Sequence, residues 1–212
     1  NGSWSYGWSS TRGSSFGLLT SAGDIQGIAF WSRTGEVIEP IVSHNGTDTV
    51  INPAGSNPVP PGALAFHPGQ EGENAIVRWT APSTGLFAVS ATFSGLDLAG
   101  TTTDVAVLDE GEVIFSGSVN GYRDAESFSG TVCVIEGSTI DFTVCARGRP
   151  SSSATSSQRA LPGVAVLVSR LREAAWRGRQ AELWGDEQWQ VLKTVIEERK
   201  PRVIILDEPT RG

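Results

Sequence analysis

The sequence predicts a mainly β protein: a jelly-roll-like antiparallel β-sandwich followed by a short C-terminal helix-helix-strand appendage. Between residues 25 and 168, apolar side chains recur at every second position in short runs. Gly, Pro, Asn or Asp separates these runs at turn spacing, and a helical period of apolar residues begins only after residue 168. About eight to ten short strands of this kind close most economically into two packed sheets.

The first predicted strand contains Trp4, Tyr6 and Trp8, whose alternation places the three rings on one face of an extended chain. Further strands are predicted at residues 25–31, 37–42, 63–67 and 74–80. The clearest alternation of apolar and polar residues follows at 86–93, which is typical of a half-buried antiparallel strand. The apolar side chains on its buried face are Phe87, Val89, Ala91 and Phe93.

A hairpin is predicted where residues 105–107 and 113–115 flank a turn with Gly111, because glycine adopts a positive φ at little cost. The last strand of the sandwich is predicted at residues 164–168. Between these elements, His67 precedes Pro68-Gly69 and is expected to hydrogen-bond within a turn rather than to bind a metal.

A second predicted hairpin turns at residues 136–138 and carries both cysteines of the chain, Cys133 and Cys145. A tight hairpin there places Cys133 nearer to Asp141 than to Cys145, so a disulfide requires a different pairing of the strands. The sequence leaves open whether the two thiols pair, and two cysteines do not identify a redox compartment.

The appendage is predicted at residues 169–212, after a sandwich domain at residues 1–168. The apolar stripes of its two helices are Leu167, Leu171, Ala174 and Ala175, and then Trp189, Leu192, Val195 and Ile196. Pro201 ends the second helix, and residues 203–206 form an apolar strand of the kind buried in a parallel sheet. A piece of this length cannot bury such a strand alone, so it must dock on the sandwich, dimerise or remain poorly ordered.

Charge is distributed unevenly along the chain. Residues 1–168 hold 7 Arg, no Lys and 15 Asp or Glu, whereas residues 169–212 hold 9 Lys or Arg and 8 Asp or Glu. An acidic, Lys-free body argues against binding to nucleic acid or to anionic membranes, since both depend on clustered Lys and Arg. The longest strongly apolar run, residues 164–168, is too short to span a membrane. We therefore expect an extracellular or cell-surface protein, with no signal peptide visible in this chain.

The body resembles a class of bacterial exported jelly-roll modules that are often found in surface proteins. The segments that carry the resemblance are WSYG at 4–7, LAFHPG at 64–69, VRWTAP at 77–82, FSGLD at 93–97, GTTTDV at 100–105 and GSTIDF at 137–142. The resemblance runs through most of residues 1–168. It implies a non-catalytic surface module and supplies no functional residue.

Residues 183–212 resemble the stretch of ABC-transporter ATPases between the signature motif and the end of the Walker B strand. The resemblance implies that Asp207 would help to hold magnesium and that Glu208 would orient the attacking water. The chain has no Gly-Lys-Ser/Thr phosphate loop, because its only lysines, Lys193 and Lys200, follow Leu and Arg. Phosphoryl transfer depends on positioned phosphates, so this carboxylate pair is predicted to be non-functional.

Two binding sites are predicted in the sandwich, each beside a plainer structural alternative. Trp4, Tyr6 and Trp8 could stack on sugar rings, or could pack as an inner-face stripe of the first strand. Asp97 and Asp104, with the threonines between them, could hold calcium, or could satisfy the backbone of a turn.

The predicted function is an exported, non-enzymatic binding or structural module, with carbohydrate as the favoured ligand class and a polysaccharide or another surface protein as partner. The sequence leaves two alternatives open. One is a fragment related to an ABC-transporter ATP-binding subunit, which the missing phosphate loop disfavours. The other is a hydrolase with its site in the sandwich loops, because spacing in sequence does not give the separation of carboxylates in space.

Overall fold

A computed structural model describes residues 3–35, 39–53 and 55–146, and the backbone of two short strands at 164–167 and 172–173. The strands are β1 (Trp4–Ser9), β2 (Gly17–Leu18), β3 (Ser21–Ile25), β4 (Ile28–Ser32), β5 (Ile41–Asn45), β6 (Leu64–His67), β7 (Asn74–Thr80), β8 (Gly85–Gly95), β9 (Thr103–Asp109), β10 (Glu112–Val119), β11 (Ala125–Val134), β12 (Thr139–Ala146), β13 (Val164–Leu167) and β14 (Arg172–Glu173).

The strands form two antiparallel sheets. The first sheet has the order β10-β9-β12-β7-β1-β2. The second has the order β11-β8-β13-β6-β5-β4-β3, and β14 also pairs with β8. The predicted all-β, sandwich-like architecture is therefore confirmed.

The hydrophobic core lies between the two sheets. In the first sheet, Val77, Phe142 and Val107 stand in register on adjacent strands, and all three are fully buried. In the second sheet, Val42 is paired with Phe66, and both are equally buried. Because strand residues alternate between the two faces, each sheet turns one apolar face towards the other and leaves its second face outside.

Residues 10–16, which connect β1 to β2, cross the outer face of the first sheet. The Phe16 ring centroid lies 4.1 Å from the Arg78 guanidinium carbon. Arg78 in turn donates two hydrogen bonds to Asp141 on the neighbouring strand, both at 2.7 Å. Asp141 is buried, so this two-bonded ion pair is largely sheltered from water.

The predicted strand at residues 25–31 is confirmed at residues 28–31, but its first part is wrong because the chain turns at residues 26–27. β3 ends at Ile25 and β4 begins at Ile28, with Gln26 and Gly27 both at positive φ, 55° and 91°. Asp24 closes the turn by accepting a hydrogen bond from the Gly27 N–H at 2.9 Å. A two-residue turn of this kind joins antiparallel strands tightly, and Gln at its first position is not a residue that signals it.

The first predicted hairpin is confirmed as β9 and β10, joined through Glu110 and Gly111 at positive φ. The second is wrong: β11 pairs with β8 in the second sheet, while β12 pairs with β7 and β9 in the first. The turn between β11 and β12 is hydrogen-bonded to the connection between β7 and β8: the Gly137 N–H donates to the Ala81 carbonyl, and the Ala81 N–H donates to the Ser138 carbonyl. The chain thus crosses from one sheet to the other at this turn.

The predicted strand at 164–168 is confirmed at residues 164–167, where β13 lies between β6 and β8. The sequence predicts a helix immediately afterwards, but at Arg172–Glu173 the chain is a strand paired with β8, so the helix prediction is wrong at these two residues. The second predicted helix and the strand at 203–206 lie outside the described residues. Within the described part of the chain, no helix is long and apolar enough to span a membrane.

Cys133 and Cys145 lie on strands of different sheets, and both are free thiols. Burial raises the pKa of Cys133 to about 11, and the charge of Asp109 acts in the same direction. Burial also raises the pKa of Cys145, and the Arg12 guanidinium opposes this effect; the charge of Asp104 adds to it, while a hydrogen bond to the Asp104 backbone opposes it. Because the thiolate is the reactive form, both thiols should be poorly reactive in the folded protein.

We expect the native Cys133 thiol to react with a chromogenic disulfide reagent at pH 8 at least roughly tenfold more slowly than in the denatured chain, because each unit by which its pKa is raised lowers the thiolate fraction about tenfold. The native Cys145 thiol should also react more slowly than in the denatured chain. The measurement is the rate of thiolate release with and without denaturant. Native thiols that react at the denatured rate would contradict the burial of these two side chains.

Candidate functional site

Polar and charged side chains gather at the end of the sandwich where the loop before β5 meets the loop between β6 and β7. We call this group the end cluster; its members are Trp8, Arg33, Glu39, His67, Gln70 and Glu73. Sheet register brings them together. In the first sheet, Ser9 at the end of β1 pairs with Asn74 at the start of β7, and in the second, His67 at the end of β6 pairs with Ile41 at the start of β5.

Trp8 provides the aromatic surface of the end cluster. Its side chain is partly buried against the core, and it pairs with Gly17 on β2. A Cβ on Gly17 would stand 2.6 Å from the Trp8 Nε1, so glycine is required for the two strands to approach this closely. On the ring face, the Arg33 guanidinium carbon lies 4.7 Å from the ring centroid, a cation–π contact.

Glu73 is fixed by the loop that precedes it. Its Oε2 accepts a hydrogen bond from the Glu71 N–H at 3.1 Å, and its Oε1 lies 3.5 Å from Arg33 Nη2. A Cβ on Gly69 would overlap the Glu73 carboxylate, so the glycine makes room for it. The backbone of the same loop is closed by a hydrogen bond from the Gly69 N–H to the Glu73 carbonyl at 2.9 Å.

Glu39 connects the two loops. Its Oε2 accepts a hydrogen bond from Gln70 Nε2 at 2.8 Å, and its Oε1 lies 3.5 Å from His67 Nε2. His67 Nδ1 lies 3.1 Å from the Pro68 carbonyl oxygen, which can only accept, so the bond places a proton on Nδ1. The predicted turn role of His67 is confirmed, and the imidazole also faces a carboxylate.

The end cluster thus combines an indole ring with two carboxylates, a guanidinium and a carboxamide. The carboxylates are partly buried and held by neighbouring donors, whereas Arg33 is the more exposed partner of its ion pair, with 39% of its side chain accessible. Such a set can donate and accept several hydrogen bonds in fixed directions next to an apolar ring.

No family model and no curated protein matches the sequence. Solved structures show distant similarity. The enzymatically active domain of bacteriophage CBA120 tailspike protein 4 is 12% identical with a TM-score of 0.32, over 78% of this chain and 18% of that chain. A family 35 carbohydrate binding module from Clostridium thermocellum is 11% identical with a TM-score of 0.27, over 51% of this chain and 78% of that chain. A Podospora anserina GH26-CBM35 β-(1,4)-mannanase is 13% identical with a TM-score of 0.29, over 70% of this chain and 29% of that chain.

The three aromatic residues predicted to stack on sugar rings lie on the inner face of the first sheet. Trp4 contacts Phe142 in the core, with ring centroids 6.3 Å apart, and Tyr6 contacts Trp31 of the second sheet at 4.3 Å. Burial raises the pKa of Tyr6. Trp4 and Tyr6 therefore pack as an inner-face stripe, which was the alternative to sugar stacking. Of the three residues, only Trp8 belongs to the end cluster.

The two aspartates predicted to hold calcium lie on different elements, a loop and a strand. Asp97 lies in the loop after β8, and its Oδ1 accepts a hydrogen bond from the Ala99 N–H at 2.8 Å. Asp104 lies on β9, and its Oδ1 accepts from the Ser118 hydroxyl at 2.7 Å. Within the ranges that the structure describes, no group of three or more His, Cys, Asp or Glu is placed to hold a metal ion. Asp207 and Glu208, the Walker B-like pair, lie outside the described residues.

Most of the end cluster is not visible as a motif in the sequence. Gln70 and Glu39 are 31 positions apart, and Arg33 and Glu73 are 40 apart, so neither contact has a characteristic spacing. The usable signal is the loop at 67–73, in which Pro and two glycines alternate with polar residues. A loop of this composition at the end of a strand is a common place for binding residues.

Proposed function

We propose that the chain is a non-catalytic, exported, jelly-roll-like module that binds carbohydrate at the end cluster. The observation that carries the proposal is the Trp8 indole with the Arg33 guanidinium on its face and Glu73 paired to that guanidinium, in a cluster where Gln70 also bonds to Glu39. Export to the cell surface or its matrix is supported by the acidic, Lys-free composition of residues 1–168.

Sugars present two kinds of surface, and the end cluster matches both. One face of a pyranose ring carries C–H groups, which pack favourably on an aromatic ring. The hydroxyls around its edge each donate and accept hydrogen bonds. They therefore pair well with carboxylates and carboxamides, in which the two polar atoms of each group lie in one plane. The cluster offers two carboxylates and one carboxamide together with one indole.

The end cluster is also organised before any ligand arrives. The Glu71 N–H holds Glu73, and Gln70 holds Glu39, at 3.1 and 2.8 Å respectively. Fewer side-chain rotations are lost when a ligand binds to groups that are already fixed, so less of the interaction energy is spent on ordering them.

Two glutamates in one cluster also favour a second candidate, a glycoside hydrolase, because that chemistry uses a pair of carboxyl groups. Release of new reducing ends from a polysaccharide would distinguish the hydrolase from the binding module. We expect binding without release.

The proposal is tested by affinity electrophoresis in gels that contain neutral, anionic or amino-sugar polysaccharides. We expect retardation in at least one gel, and we expect Glu73→Gln to weaken binding roughly tenfold, since a hydrogen bond to a charged group contributes about 1.5–3 kcal/mol. Glu71→Gln is the matched control, because Glu71 is exposed in the same loop and contributes its backbone to the network. Absence of retardation in every gel, or equal losses in both variants, would contradict a carbohydrate site at the end cluster.

A further inference from the structure

We propose that the end cluster takes amino sugars, with the ligand's ammonium group occupying the position now held by the Arg33 guanidinium. The inference rests on the proposed function, since it assumes a carbohydrate ligand at this site. It adds the charge class of the sugar and a role for Arg33 as an internal substitute for the ligand.

Three groups that attract a cation converge on the Arg33 guanidinium. The Trp8 ring faces it at 4.7 Å, and Glu73 Oε1 and the Glu39 carbonyl oxygen lie 3.5 and 3.4 Å from Nη2. A ring face, a carboxylate and a carbonyl oxygen around one point form a cation subsite. In this structure the chain itself fills that subsite.

Arg33 is suited to leave the subsite. It follows the last residue of β4 in a loop, 39% of its side chain is accessible, and both polar contacts of Nη2 are longer than the 2.7–2.9 Å typical of a tight charged hydrogen bond. An ion pair this exposed and this long is weak, because water competes for both partners. Displacement of Arg33 therefore costs little and uncovers the Trp8 ring.

The charge balance of the end cluster selects the incoming group. Glu39 and Glu73 carry two negative charges and Arg33 carries the permanent positive charge of the end cluster, so departure of Arg33 leaves the carboxylates in excess. The loops at this end add acidic residues at Glu71, Asp97 and Asp124. A sugar with an ammonium group is attracted to this end of the molecule, whereas a uronic acid is repelled.

An amino sugar matches the geometry of the subsite as well as its charge. Its ammonium group is attached directly to a pyranose carbon, so the charge and the C–H face of the ring approach the indole together. An N-acetylated sugar keeps the ring and loses the charge, and so forfeits the charge-assisted contact with Glu73. Selectivity between these two forms is therefore the signature of the cation subsite.

Isothermal titration with a glucosamine oligomer and an N-acetylglucosamine oligomer of equal length tests the inference. We expect the glucosamine oligomer to bind at least about tenfold more tightly, and its affinity to fall as salt is added, because salt screens charge pairs at the surface. We also expect Arg33→Ala to strengthen glucosamine binding several-fold by vacating the subsite. The matched control Arg123→Ala, in which the lost guanidinium lies 5.1 Å from the Tyr122 ring in another loop, should change nothing.

Different results would exclude the cation subsite and carbohydrate binding at the end cluster. Weaker glucosamine binding by Arg33→Ala with an unchanged melting temperature, or equal affinity for both oligomers, would overturn the cation subsite while leaving carbohydrate binding in place. Absence of binding to these oligomers and to every polysaccharide gel would overturn the proposed function itself.

Discussion

Replacement of Asn45 by Asp should lower the free energy of unfolding by about 3 kcal/mol or more. This is the cost expected when a buried side chain loses hydrogen bonds and gains an unpaired charge. The Asn45 side chain is fully buried. Its Nδ2 donates to the carbonyl oxygens of Thr49 and Val59, both at 2.8 Å, and its Oδ1 accepts from the Thr47 N–H and hydroxyl at 3.0 and 2.7 Å. An aspartate would turn a charged oxygen towards two carbonyl oxygens.

The control for Asn45 is Asn52→Asp. Asn52 is exposed in the same loop, and its Oδ1 accepts a hydrogen bond from the Asn57 N–H at 2.9 Å, which an aspartate oxygen can also accept. We expect a change within about 0.5 kcal/mol for this variant. Urea unfolding followed by tryptophan fluorescence compares the two, and similar losses would show that Asn45 does not organise the loop. Because its amide is buried and fully bonded, Asn45 is also unsuited to glycosylation, although Asn45-Gly46-Thr47 fits the acceptor pattern.

The second large effect is expected at the ion pair on the outer face of the first sheet. Arg78→Ala should cost about 3–5 kcal/mol of stability, because it leaves the buried Asp141 carboxylate without its partner. It also removes the cation that packs on Phe16. Urea unfolding provides the measurement.

A double variant separates the value of the ion pair from the cost of orphaning one charge. Arg78→Leu with Asp141→Leu replaces both partners by apolar side chains, so it should be clearly more stable than Arg78→Ala alone. The exposed Arg123→Ala serves as control for loss of a guanidinium. If Arg78→Ala costs less than about 1 kcal/mol, the pair behaves as a surface ion pair and its burial is contradicted.

The fold class could be predicted from sequence because burial imposes a period of two on a strand. β8 shows this directly, since its buried residues occupy every second position from Phe87 to Gly95. Partner choice was harder to predict. The turn at 136–138 has the composition of a hairpin turn, yet it carries the chain from one sheet to the other through hydrogen bonds to Ala81, more than fifty positions away. Local sequence does not encode a partner at that distance.

The candidate site was predictable only at Trp8. The alternation of aromatic residues in β1 shows that they share one face, but it does not distinguish a binding face from a face packed in the core. Trp4 and Tyr6 pack against core residues. The polar half of the end cluster comes from two loops that only sheet register brings together. Residues that contact each other in the end cluster are far apart in the sequence. They therefore form no short motif from which a binding site could be inferred, as a metal or phosphate motif would allow.

Chemical-shift mapping of backbone amides during titration with glucosamine oligomers and with neutral oligosaccharides tests carbohydrate binding at the end cluster most directly. With at least one of these sugars, the largest shifts should map to Trp8, Arg33 and residues 67–73, while Trp4 and Tyr6 in the core stay nearly unchanged. Shifts centred on the outer face of the second sheet, or no shifts with any of the sugars, would contradict it.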